Sequence, residues 1–135
     1  MSIFSQRIQA AEINIDEYGR DRGDLTRLLE LDRNWLIVRA VKTLHTDIVA
    51  KYDPRLARID VYKSTDLQSG NAVGGAVVGG LLFGGIGAVV GAIAGSSKRP
   101  FWIVEITDTT GTRFFKVKSD ADKIILDKYL AKRRK

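Results

Sequence analysis

Cysteine is absent from this chain of 135 residues, which removes disulfides, thiolate metal sites and thiol nucleophiles together and argues against a small secreted scaffold. Histidine occurs once, as His45, with no carboxylate motif beside it. Neither a zinc site nor a histidine-based triad can be assembled from recognised spacing. The chain lacks a GxxxxGK[ST] phosphate loop, and Asp53 and Asp60, two carboxylates flanking a turn, are a commonplace pair rather than an acid–base device. The expectation is a non-enzymatic protein with no cofactor, no metal and no small-molecule substrate. The opening stretch MSIFSQRIQAAEINIDEYGRDRGD has no apolar run of signal-peptide length and turns acidic early, so the chain is expected to be made and folded in the cytoplasm.

What is present is unevenly placed. The net charge is +6, yet residues 1–69 carry 11 Lys/Arg and 11 Asp/Glu, whereas residues 97–135 carry 11 Lys/Arg and 5 Asp/Glu. The whole excess follows a glycine-rich stretch. A basic region next to an apolar one suits the anionic cytoplasmic face of a membrane, where each Lys or Arg near the surface adds roughly 1 kcal/mol of attraction. Nucleic acid would be attracted by the same charge, but Phe114, Phe115, Lys116 and Lys118 read better as a hairpin core with solvated lysines than as a stacking platform.

Hydrophobic periodicity gives the elements. The first twenty residues are weakly patterned and carry no assignment. From Asp24, DLTRLLELDR places Leu25, Leu28 and Leu29 at helical spacing behind an N-cap candidate, predicting a short helix. Trp35–Val41 and Thr46–Lys51 read as strands, Asp53-Pro54 as a turn, and Arg55–Lys63 as a half-buried strand with Ala57, Ile59 and Val61 on one side. After the glycine-rich stretch, FWIVEIT and RFFKVK flank the turn Asp108-Thr109-Thr110-Gly111 as a hairpin. Ser119 then caps an amphipathic helix carrying Ala121, Ile125, Leu126, Tyr129 and Leu130.

Residues 72–95, AVGGAVVGGLLFGGIGAVVGAIAG, hold 24 consecutive residues without a charge or a hydrogen-bonding side chain: 9 Gly, 5 Ala and 10 larger apolar residues. Residues four apart stack on a helix, so the segment sorts into rows. Ala72, Ala76, Gly80, Gly84, Ala88 and Ala92 form an entirely small row, and Gly75, Gly79, Phe83, Gly87, Gly91 and Gly95 a second that is small except for Phe83. The remaining two rows are mostly Val, Leu and Ile. Small rows let helix backbones approach closely within lipid. Glycine costs about 1 kcal/mol per residue in a water-exposed helix, so nine of them ask for packing or a membrane. Unbroken, such a helix would run roughly 36 Å against a hydrocarbon core of about 30 Å. LFGGIG reads as a break, leaving two halves of about 17 Å each. A helical hairpin is therefore preferred over a single span.

The order of a strand ending in a basic residue (IDVYKSTD), an Ala/Gly zipper, a basic stop (SSKRP), a hydrophobic strand (FWIVEIT) and a closing helix resembles small bacterial pleckstrin-homology-like proteins with a glycine-zipper insertion, over roughly Trp35 to Leu130. The resemblance implies an α+β fold: a bent antiparallel sheet closed by a carboxyl-terminal helix, with an inserted helical hairpin. Three regions are then expected: residues 1–34 as an amino-terminal segment with a short helix, residues 35–69 and 97–135 as the sheet and closing helix, and residues 70–96 as the hairpin. The expected function is membrane association through the zipper, as a homo-oligomer that forms a pore or remodels the bilayer, with Lys98, Arg99 and Trp102 at the lipid headgroups and the bulk of the chain on the cytoplasmic side. Membrane lipids are the expected partner and nucleic acid is disfavoured. The alternative is a soluble interaction module, for example of a viral particle or a secretion system, that docks through the same segment.

Overall fold

The computed structural model describes residues 6–14, 22–64 and 100–133, and among these it forms seven strands and one helix. The strands are β1 (Gln6–Glu12), β2 (Leu25–Leu31), β3 (Leu36–Val41), β4 (Thr46–Tyr52), β5 (Arg58–Lys63), β6 (Trp102–Asp108) and β7 (Gly111–Val117), followed by helix α1 (Asp120–Arg133). Every pairing is antiparallel, in the order β4-β3-β2-β1-β7-β6-β5.

Residues opposite one another across a ladder share a face, so the register defines the inner surface. Ile8 faces Leu29, which faces Val38; Phe115 faces Val104, which faces Val61. Leu29, Leu36 and Val38 from one half of the sheet join Ile59, Val104, Ile106 and Phe115 from the other in a single buried cluster. Strands that far apart in the order meet only if the sheet bends over its own face. Each fully buried Leu, Ile or Phe here contributes roughly 1.5–3 kcal/mol of transfer free energy. Leu126 and Leu130 of α1 complete the cluster.

β1 holds the two halves together unevenly. It pairs with β2 along its whole length but with β7 only at Ala11↔Lys116 and Glu12↔Phe115, extended by the Ile13 N–H donating to Phe114 O at 2.9 Å. Beyond Ala11 the two strands part. The start of α1 reaches this gap, where the Gln9 N–H donates to Asp122 Oδ2 at 3.3 Å. The helix itself opens on Ser119, whose Oγ accepts from the Asp122 N–H at 3.3 Å.

Two sequence expectations are corrected. The run after Asp24 is strand β2, not a helix: it pairs with β1 from Gln6↔Leu31 to Glu12↔Leu25 and with β3 on its other side. Leu25, Leu28 and Leu29 fit a helical period, but two flanking ladders outweigh the weak helical preference of Leu, Arg and Glu. Residues 1–34 accordingly do not stand apart as a segment with a short helix; they supply β1 and β2, both in the interior of the sheet. The other expected strands, the hairpin and the carboxyl-terminal helix are present, with β5 beginning at Arg58 because Asp53 to Ala57 form the turn, where Asp53 O accepts from the Leu56 and Ala57 N–H groups. The expected hairpin at 70–96 lies outside the described residues.

Candidate functional site at the root of the glycine-rich segment

The chain leaves the sheet at the end of β5 and returns at the start of β6, and these two strands are neighbours paired from Arg58↔Thr107 to Lys63↔Trp102. One residue further out the contact continues. The Ser64 N–H donates to Phe101 O at 2.9 Å, and the Phe101 N–H donates to Ser64 Oγ at 3.1 Å. Ser64 and Phe101 are both buried, at 3% exposure each. Departure and return are thus fixed side by side by backbone and side-chain hydrogen bonds inside the protein.

Aromatic rings and lysines surround this root. Trp102, half-buried at the first position of β6, has Lys123 Nζ at 4.4 Å and Lys63 Nζ at 5.7 Å from its ring centroid, while its indole N–H donates to Asp120 Oδ1 at 3.2 Å. Lys116 Nζ stands 5.4 Å from the Phe101 ring and 2.8 Å from Asp24 Oδ2. Lys123 also pairs with Asp127 one helical turn on. Three elements, β5, β7 and α1, therefore each bring one lysine to the aromatic pair Phe101 and Trp102.

On the outer face next to the root, Glu105 is 7% exposed and accepts from the Tyr62 hydroxyl at 3.3 Å. Burial pushes its carboxyl above the ordinary carboxylate range, aided by the negative Asp60 opposite it on β5, while the Tyr62 hydrogen bond and Arg58 pull it back. Tyr62 is raised in turn, first by burial and then by Asp60 and Glu105. Asp60 is held by Arg58 Nε at 2.8 Å and Asp53 by Arg55 Nε at 3.2 Å, so each of the two carboxylates flanking the turn has its own arginine. His45 is exposed on the β3–β4 turn with Nε2 3.3 Å from Asp47 Oδ1. Among the described residues no three His, Cys, Asp or Glu side chains gather into a metal-binding group.

Of the residues picked out from sequence, Trp102 lies at the root; Lys98, Arg99 and the small rows from Ala72 to Gly95 lie outside the described residues. Lys63 and Lys123 were not singled out, and Lys116, expected as a solvated lysine of the hairpin, is instead largely covered and paired with Asp24. Only Lys63 had a signal, as the last residue of the strand entering the insertion; the other two reach the root through folding. No described helix is long and apolar enough to cross a membrane. The fold thus defines an α+β protein of bent antiparallel sheet and carboxyl-terminal helix with a long insertion between two paired strands. Compared with known proteins, the chain matches no family model, no curated protein and no solved structure.

Proposed function

We propose that this is a non-enzymatic, membrane-associated protein that inserts or self-assembles through residues 72–95 as a homo-oligomer. Its sheet and helix act as a pleckstrin-homology-like platform on the cytoplasmic side. The observation that carries the reading is the β5–β6 register, continued by Ser64 and Phe101. A segment whose ends are tied together within one folded unit can dip into a bilayer or cross it an even number of times. A single crossing would require a flank to pass back through the bilayer, and TDLQSGN on one side and SSKR on the other carry Asp66, Lys98 and Arg99, charges that are costly in hydrocarbon. The lysine and aromatic collar at the root suits the interface, where Trp and basic side chains meet headgroups.

Flotation of the full-length protein with anionic liposomes tests this, beside a variant in which residues 72–95 are replaced by a short Gly/Ser loop. The variant keeps Ser64, Phe101 and the β5–β6 ladder, so it retains the platform. Full-length protein should float and the variant stay in the soluble fraction. If neither floats, the segment is a protein-docking or self-assembly element and the membrane reading falls.

A further inference from the structure

Far from the root, the last turn of α1 faces the β2–β3 turn across a cleft of about 540 Å³. With fourteen residues in α1, the two ends of the helix lie roughly 20 Å apart, so this cleft is separate from the Trp102 collar. Tyr129 anchors it by donating its hydroxyl to Trp35 O at 3.0 Å, and Arg133 donates through Nη1 to Arg33 O. The cleft is lined by four cations, Arg33, Lys128, Lys132 and Arg133, and by one carboxylate, Asp32. Asp32 accepts from the Asn34 N–H at 3.3 Å, and set against the four cations it leaves the lining with a formal net charge of 4 − 1 = +3. Among the described residues Arg33, Lys128 and Lys132 form no ion pair with a carboxylate.

Two features exceed what helix-end electrostatics explain. Cations near a helix carboxyl terminus are favoured by the macrodipole, which accounts for one or two of them. But Lys128 and Lys132 are four apart, stacked like charges that repel on one helix row. Second, Arg133 Nε is buried with no hydrogen-bond partner among the described residues, although its guanidinium is positioned by Arg33 O and sits 5.7 Å from the Tyr129 ring. An unpaired donor on a charged group is costly, and the cost is recovered when an anion accepts from it.

We propose that this cleft binds a phosphate-bearing anion, with the Arg133 guanidinium turning to offer its unpartnered Nε as donor and Arg33, Lys128 and Lys132 as the surrounding charge. The same phosphate chemistry is offered by a soluble phosphate compound and by a lipid headgroup. The proposal does not depend on the membrane reading of residues 72–95, and its test uses a different readout.

The experiment titrates full-length protein with inorganic pyrophosphate, read by calorimetry and by the Arg133 Nε–H resonance in NMR spectra. Binding should move that resonance. The exposed pair K128Q/K132Q should weaken binding about tenfold or more, because charge-assisted contacts to phosphate are lost. K42Q/K118Q, which removes the same charge elsewhere on the surface, should leave it within about twofold, as expected of distant screened charges. A second arm adds vesicles of phosphatidylcholine with or without phosphatidic acid: displacement of pyrophosphate only by the phosphatidic acid vesicles assigns a lipid phosphate, and no displacement assigns a soluble one. Equal weakening in both double variants, towards pyrophosphate or an oligonucleotide, would mean diffuse attraction and overturn the site, as would binding that leaves the Arg133 resonance in place.

Discussion

Ser64 and Phe101 are joined twice, once through the Ser64 N–H to Phe101 O at 2.9 Å and once through the Phe101 N–H to Ser64 Oγ at 3.1 Å. The second bond depends on a hydroxyl in a buried position, and among the described residues no other acceptor serves that N–H. Ser64→Ala should therefore leave a buried donor unmet and lower unfolding free energy by about 1–3 kcal/mol, measured by urea denaturation. Wild-type stability in the variant would mean that the root is held by the β5–β6 ladder alone.

Glu12 is the charged counterpart on the inner face. At 9% exposure it accepts from Arg27 Nε at 2.9 Å and from Arg113 Nη1 at 2.7 Å, joining β1, β2 and β7. Removing its charge strands two guanidiniums that are themselves partly covered. Glu12→Gln should cost about 3 kcal/mol, as breaking a buried pair does. Arg58→Gln, which breaks the exposed pair with Asp60, should cost far less, because solvent screens an exposed pair. Matching denaturant midpoints for the two variants would contradict this ranking.

The pH dependence carries opposite signs at two places. Burial raises Glu105, so the folded state holds a proton that the unfolded chain releases; that contribution is full below the ordinary carboxylate range and is lost as pH rises through the raised value. Glu105→Gln should therefore be more stable than wild type at neutral pH, with the difference closing in acid, while its amide oxygen still accepts from Tyr62. Asp108 is lowered, first by the Thr110 hydroxyl and then by the Thr110 N–H, so its contribution is present above the ordinary carboxylate range and lost as pH falls. Asp108→Asn should cost stability at neutral pH and nothing in strong acid. Thermal melts across pH 3–8 check both directions, and parallel curves for the two variants would refute the assignment.

What the sequence disclosed and what it hid follow from how each strand is covered. β5 and β7 alternate openly, with Ile59 inward beside Arg58 and Phe115 and Val117 inward beside Lys116, and they were legible. β1 was not, because its inward row ends on Glu12, whose charge is met by arginines from β2 and β7 more than a dozen residues away. β2 was misread for the same reason: Arg27 on its inner face erased the period of two and left three leucines at helical spacing. Ion pairing across strands thus disguised the interior of the sheet as polar or helical sequence. At the root, Trp102 was legible from its place after the glycine-rich stretch, whereas Lys116 and Lys123 arrive through the β7 register and the helix. Arg33 and Arg133 are 100 residues apart and meet only through the fold.

The small rows of residues 72–95 give the last prediction, which concerns assembly. Gly80 and Gly84 stand four apart in the row that also holds Ala72, Ala76, Ala88 and Ala92, where a leucine side chain would hold two helix backbones apart. Gly80→Leu with Gly84→Leu adds hydrophobic surface, so any simple partitioning into lipid should strengthen. Close contact between copies should be lost. The double variant is expected to keep floating with liposomes yet fall to a smaller species by light scattering in detergent. Val77→Leu with Val89→Leu, on a bulky row, should keep the wild-type size. An unchanged oligomer in the glycine variant would remove the small row from assembly and leave only its hydrophobicity to explain.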